Sequence, residues 1–407
     1  MSNTQKKNVP ELRFPGFEGE WEEKKLGNLT TKIGSGKTPK GGSENYTNKG
    51  IPFLRSQNIR NGKLNLNDLV YISKDIDDEM KNSRTYYGDV LLNITGASIG
   101  RTAINSIVET HANLNQHVCI IRLKKEYYYN FFGQYLLSRK GKRKIFLAQS
   151  GGSREGLNFK EIANLKIFTP TIFEEQQKIG KFFSKLDRQI ELEEQKLELL
   201  QQQKKGYMQK IFTQELRFKD ENGEEYPEWE NSKIEKYLKE RNERSDKGQM
   251  LSVTINSGII KFSELDRKDN SSKDKSNYKV VRKNDIAYNS MRMWQGASGK
   301  SNYNGIVSPA YTVLYPTQNT SSLFIGYKFK THRMIHKFKI NSQGLTSDTW
   351  NLKYKQLKNI NIDIPVLEEQ EKIGDFFKKM DILISKQKMK IEILEKEKQS
   401  FLQKMFL

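Results

Sequence analysis

Three groups of residues in this chain have types and spacings that could do chemistry. The first is Gly34-Ser35-Gly36-Lys37-Thr38-Pro39, which carries the glycine, lysine and threonine of a phosphate-binding loop. Such a loop needs a further glycine, with four residues between it and the Gly-Lys-Thr, so that the backbone curls and aims successive N–H groups at the phosphates. Thr31 stands there instead. The loop should also run into a helix, whereas Pro39, Gly41 and Gly42 follow at once and oppose helix propagation. A surface loop is therefore expected. The second group is His332 and His336, spaced to share a helix face and bind zinc, but the sequence THRMIHKFK lacks the adjacent glutamate of a zinc hydrolase. These histidines read as surface or nucleic-acid-facing residues. The third is Cys119, the single cysteine, which rules out an intramolecular disulfide and a cysteine-rich metal site. No catalytic residue and no metal site is assigned.

The elements that would position any functional group must come from a chain of 407 residues, long enough for two or three domains with real cores. Hydrophobic residues make up 35% and aromatic residues 11%, which argues against general disorder. The start, MSNTQKK, is polar, and no apolar run approaches the roughly 18 residues needed to cross a bilayer. A reduced, cytoplasmic setting is expected. The net charge of +21 favours a polyanionic partner.

The chain repeats itself. EEQQKIGKFFSKLDRQIELEEQKLELLQQQKKGYMQKIF (Glu174 to Phe212) returns as EEQEKIGDFFKKMDILISKQKMKIEILEKEKQSFLQKMF (Glu368 to Phe406), without a gap and with 18 of 39 positions identical. The interval is far longer than a solenoid repeat, so a whole domain plus a helix has been duplicated. In the first copy Ile179, Phe183, Leu186, Ile190, Leu197, Leu200, Tyr207 and Ile211 recur at alternating three- and four-residue steps, with Glu193 and Lys204 as polar exceptions. In the second copy Ile373, Phe377, Met380, Ile384, Ile391, Leu394, Phe401 and Met405 do the same, with Gln387 and Lys398 as exceptions. Both are coiled-coil seams. An antiparallel pairing related by a pseudo-twofold axis would set Glu193 against Lys398 and Lys204 against Gln387.

Fainter echoes fill the rest. ELRF at Glu11 recurs at Glu215, each followed by acidic residues and a tryptophan, Trp21 and Trp229. GDVLLN (Gly88 to Asn93) answers NDIAYN (Asn284 to Asn289), and both run on to Gly-Ala-Ser at Gly96 and Gly296. SGGSREGLNFKEIANLKIFTP (Ser150 to Pro170) parallels SQGLTSDTWNLKYKQLKNINIDIP (Ser342 to Pro365). Short runs such as VLLNI, HVCIIRL and YTVLY among helical stretches predict an α+β domain in each half. The expected division is residues 1–172 as N-terminal segment and first domain, 173–213 as first long helix, 214–366 as linker and second domain, and 367–407 as second long helix.

The first helix copy carries 8 basic and 7 acidic residues, the second 9 and 8, and the connector Thr213 to Trp229 2 and 6. The globular halves therefore carry more than the whole net charge, roughly +23 against +21 for the chain. Their polar stretches, LRSQNIRNGK (Leu54 to Lys63), SRKGKRK (Ser138 to Lys144), SGGSREG (Ser150 to Gly156) and MRMWQGASGK (Met291 to Lys300), are rich in side chains that contact base edges and phosphates.

The sequence resembles the specificity (S) subunits of type I restriction-modification systems over nearly its whole length. The resemblance rests on LRFPGF followed by Trp21, on KIGSGKTP, on GIPFLRSQNI (Gly50 to Ile59), on GDVLLNITGASIGR (Gly88 to Arg101), and above all on the twice-present P-x(2-3)-EEQxKIGxFFxxxD element. It implies two target recognition domains, each reading one half of a split double-stranded DNA target, separated by two long helices packed as an antiparallel coiled coil. It also implies a non-catalytic subunit that recruits two modification (methyltransferase) subunits and two restriction (ATP-dependent translocase and nuclease) subunits. S-adenosylmethionine, ATP and magnesium then belong to those partners, and no cofactor to this chain. In agreement, there is no Asn/Asp-Pro-Pro-Tyr/Phe motif and no glycine-rich cofactor fingerprint after a strand.

On this reading Gly16 to Ile172 serves one half-site and Tyr226 to Leu367 the other. The expected DNA contacts are Arg55, Gln57, Asn58, Arg60, Ser98, Arg101, Arg154, Arg292, Gln295, Lys300 and Ser347. Trp294 is expected as a core residue in preference to a stacking one, and the flanks of the coil, including the Glu-Glu-Gln segments at Glu174 and Glu368, as docking sites for the modification subunits. A helix of roughly 35 residues is about 50 Å long, which spaces half-sites on the order of one to one and a half DNA turns apart. Two other readings stay open: a coiled-coil adaptor that binds nucleic acid without sequence choice, and a specificity module of another restriction class.

Overall fold

A four-stranded antiparallel sheet forms the centre of each globular half, and the two sheets have the same strand order. In the first half the order is Thr30–Ser35, Val118–Leu123, Val90–Asn93, Thr102–Ile104; in the second it is Leu238–Glu240, Tyr311–Pro316, Ile286–Asn289, Ser298–Lys300. This computed structural model describes residues 8–149, 156–266 and 274–407. The fold is α+β and internally duplicated, and the two long helices pack together. The chain divides into two units, Met1–Glu194 with Met389–Leu407, and Gln195–Lys388.

Side chains alternate across a strand, and in Val90–Asn93 both faces are covered. Val90 and Leu92 enter a core with Phe131, Phe132 and Tyr135 of the helix Tyr129–Leu137. Leu91 enters a second core with Leu54, Val118 and Ile120. The uninterrupted apolar run Val90-Leu91-Leu92 within GDVLLN is thus the signature of a strand buried on two sides. The halves differ in what is added. The first unit has a second sheet, ordered Val70–Ile72, Ile51–Leu54, Ala112–Leu114, Arg84–Thr85, where the second unit has two two-stranded pairs, Leu251–Thr254 with Gly258–Lys261 and Lys279–Val281 with Gly305–Val307.

The long helices span Phe173–Phe212 and Leu367–Lys404. Within the first unit, Ile179 and Phe183 share a core with Leu402, Met405 and Phe406, while Leu186 and Ile190 meet Leu394, so the helices run antiparallel. Within the second unit, Ile211 and Phe212 share a core with Ile373 and Phe377. The ring stacks correspond: Phe183 on Phe406 at 5.7 Å in one, Phe212 on Phe377 at 5.8 Å in the other. Leu197 and Leu200 are half-buried, and Met380, Ile384 and Ile391 are buried.

The polar layers fall elsewhere than expected. Lys398 meets Asp187 at 2.5 Å in place of Glu193, and Lys204 meets Asp381 at 2.6 Å in place of Gln387; both partners lie six positions earlier on the facing helix. Glu193 instead takes Lys390 at 2.5 Å. Apolar spacing alone tolerates such a slide, whereas a lysine entering the seam settles where a carboxylate can neutralise it.

The Glu-Glu-Gln segments are corrected in part. Glu174 and Glu368 are exposed, but the second glutamate and the glutamine of each are buried and occupied within their own unit. Glu175 accepts from Arg13 at 2.7 and 2.8 Å and from the Trp21 indole at 3.3 Å; Glu369 accepts from Arg217 at 3.2 and 2.7 Å and from Trp229 at 3.2 Å. Gln176 accepts from the Tyr128 amide and donates to the Pro170 carbonyl, as Gln370 does with Ser321 and Pro365. The paired ELRF and tryptophan motifs are therefore straps on the helix starts. Gly180 of the KIG triplet lets the start of the helix Tyr129–Leu137 approach, since a Cβ there would lie 2.6 Å from the Tyr128 ring.

Candidate nucleic-acid interface

The Gly-Ser-Gly-Lys loop uses its own amides. Gly36 N–H donates to the Val118 carbonyl at 3.2 Å and Lys37 N–H to that of Leu114 at 2.9 Å. A Cβ on Gly36 would sit 1.9 Å from the Leu114 oxygen, so glycine is required by strand approach. The chain then enters a short 3-10 turn, Gly42–Asn45, and the amides a phosphate would need are spent.

In the first unit one buried side chain joins two candidate loops. Asn93, at the end of the central strand, donates its amide to the Ser56 carbonyl at 2.9 Å and to Ser98 Oγ at 3.0 Å. Gly62 N–H reaches the Thr102 carbonyl at 2.8 Å. Arg55, Gln57, Arg60, Ser98 and Arg101 thereby come to neighbouring turns. Gln57 and Arg60 are exposed and Arg101 is half-buried. Arg55 is anchored through the Asp68 carbonyl at 3.0 Å, its guanidinium lying over Tyr46. Thr95, in the same turn, bonds His117 at 2.6 Å, which brings exposed Gln116 to the cluster.

Asn58 is a correction: it is fully buried, its oxygen accepts from the Arg55 amide at 2.9 Å and its amide donates to the Asn65 carbonyl at 3.0 Å. Fully buried and bonded at both ends, it shapes the loop and lies out of reach of a base edge. Arg154 lies outside the described residues. The helix Arg139–Leu147 carries exposed Arg139, Lys140, Lys142 and Arg143, while Phe146 and Leu147 are also exposed.

In the second unit the corresponding turn, Met293–Gln295, bears Arg292 and Gln295, with Arg292 exposed. Trp294 is half-buried; its indole donates to the Met291 carbonyl at 3.1 Å and its ring meets Trp350 edge-on at 5.3 Å. That contact brings the exposed loop containing Ser347 to the turn, and the loop is closed by pairing of Gln343 with Asn351. Lys330 supports the turn from beneath by donating to the carbonyls of Gly296 and Ile255, and burial pushes its ammonium down to about 8. Lys300 stands apart. Its strand pairs Lys300 with Ile286 and Ser298 with Tyr288, placing it at the far end of the hairpin from Arg292. Its ammonium donates to Asn284 and Asn302, at 3.1 and 2.9 Å, and burial lowers its pKa. His332 and His336 are exposed.

Sequence reasoning missed Asn93, Thr95 and His117. Only the recurrence of asparagine at the end of both central strands, Asn93 and Asn289, hinted at the first. The two clusters present arginine, glutamine and serine on loops fixed from below by buried amides and strands. They can donate to and accept from base edges and phosphates. Among the described residues no group of three or more His, Cys, Asp or Glu side chains is placed to hold a metal ion, and no helix is long and apolar enough to cross a membrane.

The chain is similar to known proteins in sequence and fold. A match to the type I restriction modification DNA specificity domain covers residues 18–202 and again 226–396. The type I restriction enzyme MjaX specificity subunit of Methanocaldococcus jannaschii is 28% identical over 231 residues, 54% of this chain and 53% of that protein. The EcoBI specificity subunit of Escherichia coli is 33% identical over 133 residues, 32% of this chain and 27% of that protein. The match thus spans about half the length of the first relative and about a quarter of the second. The crystal structure of the type I S subunit from M. genitalium superposes with a TM-score of 0.60 over 98% of this chain and 99% of that one, at 14% identity. A chain from a structural study of type I complex assembly gives 0.52 over 96% and 97%, at 16% identity. With the specificity domain matched twice along one duplicated α+β chain, the protein belongs to the type I restriction-modification DNA specificity family.

Proposed function

We propose that the protein is the DNA specificity subunit of a type I restriction-modification complex, reading a bipartite double-stranded target with its two globular domains. The observation that supports this most is the repetition of one scaffold with two different loop sets, Gln57, Arg60, Ser98 and Arg101 on one and Arg292, Gln295 and Ser347 on the other. One scaffold with two surfaces suits two unlike half-sites. Positive charge concentrated in the domains suits the phosphates, with arginine and glutamine left to read bases.

The subunit itself carries out no chemistry. Two modification subunits supply adenine N6 methylation with S-adenosylmethionine, and two restriction subunits supply ATP- and magnesium-dependent translocation and cleavage, all in the cytoplasm. Exposed apolar side chains on the long helices, Leu192, Met389 and Ile393 in the first unit and Leu199, Ile382 and Leu383 in the second, support helix-to-helix docking of the modification subunits. The coil sets the gap between half-sites.

Selection from a random duplex pool by the assembled complex tests the reading. Enrichment of two short blocks separated by a fixed gap is expected. A pool that stays flat while binding remains salt-sensitive would leave a non-sequence-specific adaptor.

A further inference from the structure

The repeated motif ends in an aspartate on each long helix, and each of these carboxylates is held from two sides. In the first unit Asp187 Oδ1 accepts from Lys398 of the facing helix at 2.5 Å, and Oδ2 accepts from the Gln134 amide at 2.7 Å. In the second unit Asp381 Oδ1 accepts from Lys204 at 2.6 Å, and Oδ2 from the Tyr327 hydroxyl at 2.6 Å. Gln134 and Tyr327 hold corresponding places, each three residues beyond a buried phenylalanine, Phe131 and Phe324, on a helix of the globular domain.

Each aspartate therefore joins three elements: its own long helix, the facing long helix and the recognition domain. The lysine arm acts on helix register, since a slide of one turn would separate the charges and leave a partly buried ammonium unpaired. The donor arm acts on the domain. That the donor is an amide in one unit and a phenol in the other, while the aspartate and lysine are the same, argues that the junction itself is what matters. Burial and, secondly, the Asp381 bond push the Tyr327 phenol upward, so it stays a donor at ordinary pH.

Resting on the function proposed above, we infer that Asp187 and Asp381 are positioning residues that tie each domain to the helix register and so determine which gap between half-sites is accepted. Gln134→Leu and Tyr327→Phe remove the domain arm and leave the ion pair. The swap Asp187→Lys with Lys398→Asp reverses the pair, and the Gln134 amide can turn to serve it.

The test is methylation by the assembled complex of duplexes carrying both half-sites with the gap shortened by one base pair, native, or lengthened by one. Preference for the native gap should fall by about tenfold in each arm variant, with the half-site bases unchanged. It should fall in Asp187→Lys and return in the double swap. A gap preference within about twofold of the wild type in both arm variants would overturn the inference, as would altered half-site bases. Tyr327→Phe removes one oxygen, so its unfolding midpoint checks that the domain is intact. If the wild-type complex itself leaves no split motif, the specificity-subunit reading fails, a result distinct from variants that match an active wild type.

Discussion

Gln57 and Asn58 are neighbours with opposite duties. Gln57 projects from the turn, whereas Asn58 is fully buried and bonded at both ends of its amide. Gln57→Ala should leave the unfolding midpoint in place and weaken sequence-specific binding. Asn58→Ala should cost about 1–3 kcal/mol of stability by orphaning the Arg55 amide and the Asn65 carbonyl. Chemical denaturation beside DNA competition separates the two. In sequence the pair was not separable, because an asparagine that shapes a loop and one that reads adenine look alike. Glu369 is a sharper case. With the glutamate buried and gripped by Arg217 and Trp229, Glu369→Gln should destabilise the second unit by about 3 kcal/mol, since it strands a guanidinium. Thermal unfolding reads this directly.

At the scale of elements, the helix Ser322–Lys328 holds a lysine where no surface exists. Lys328 is buried, its ammonium 4.8 Å from the Trp229 ring centre and 5.3 Å from that of Phe212. Burial pushes its pKa from 10.5 down to about 8. Between those values the unfolded chain holds a proton that the folded domain lacks, so stability should rise with pH from about 8 to about 10.5, by about 3 kcal/mol at most. Lys328→Met should flatten that rise in melts taken across the window; Lys330, shifted the same way, leaves a remainder. The long helices were legible because their three- and four-residue apolar steps recur twice. Their register was not, because apolar layers fit several slides and the ion pairs Lys398 with Asp187, Lys204 with Asp381 and Lys390 with Glu193 select one. Central strands were legible where they are buried on both faces, as in Val90–Asn93. The extra sheet of the first unit was not, its strands being as short as Arg84–Thr85.

For the whole molecule, the duplication was plain in the letters and is matched by the shared strand order of the two sheets. Loop poses were beyond the sequence, because Asn93 and Trp350 bring together turns far apart along the chain. A coil that sets spacing should respond to its length. Inserting one heptad at corresponding points of both long helices preserves the seam and adds about 10 Å, so the gap should grow by about three base pairs with both half-sites kept. Methylation mapping of the insertion variant reads the gap. The most direct test of the central claim is genome-wide mapping of N6-methyladenine in cells carrying this chain with a cognate modification subunit, against cells lacking it. A new split motif with one fixed gap is the expected result. Its absence, with the subunits shown to be assembled, would contradict a sequence-specific role.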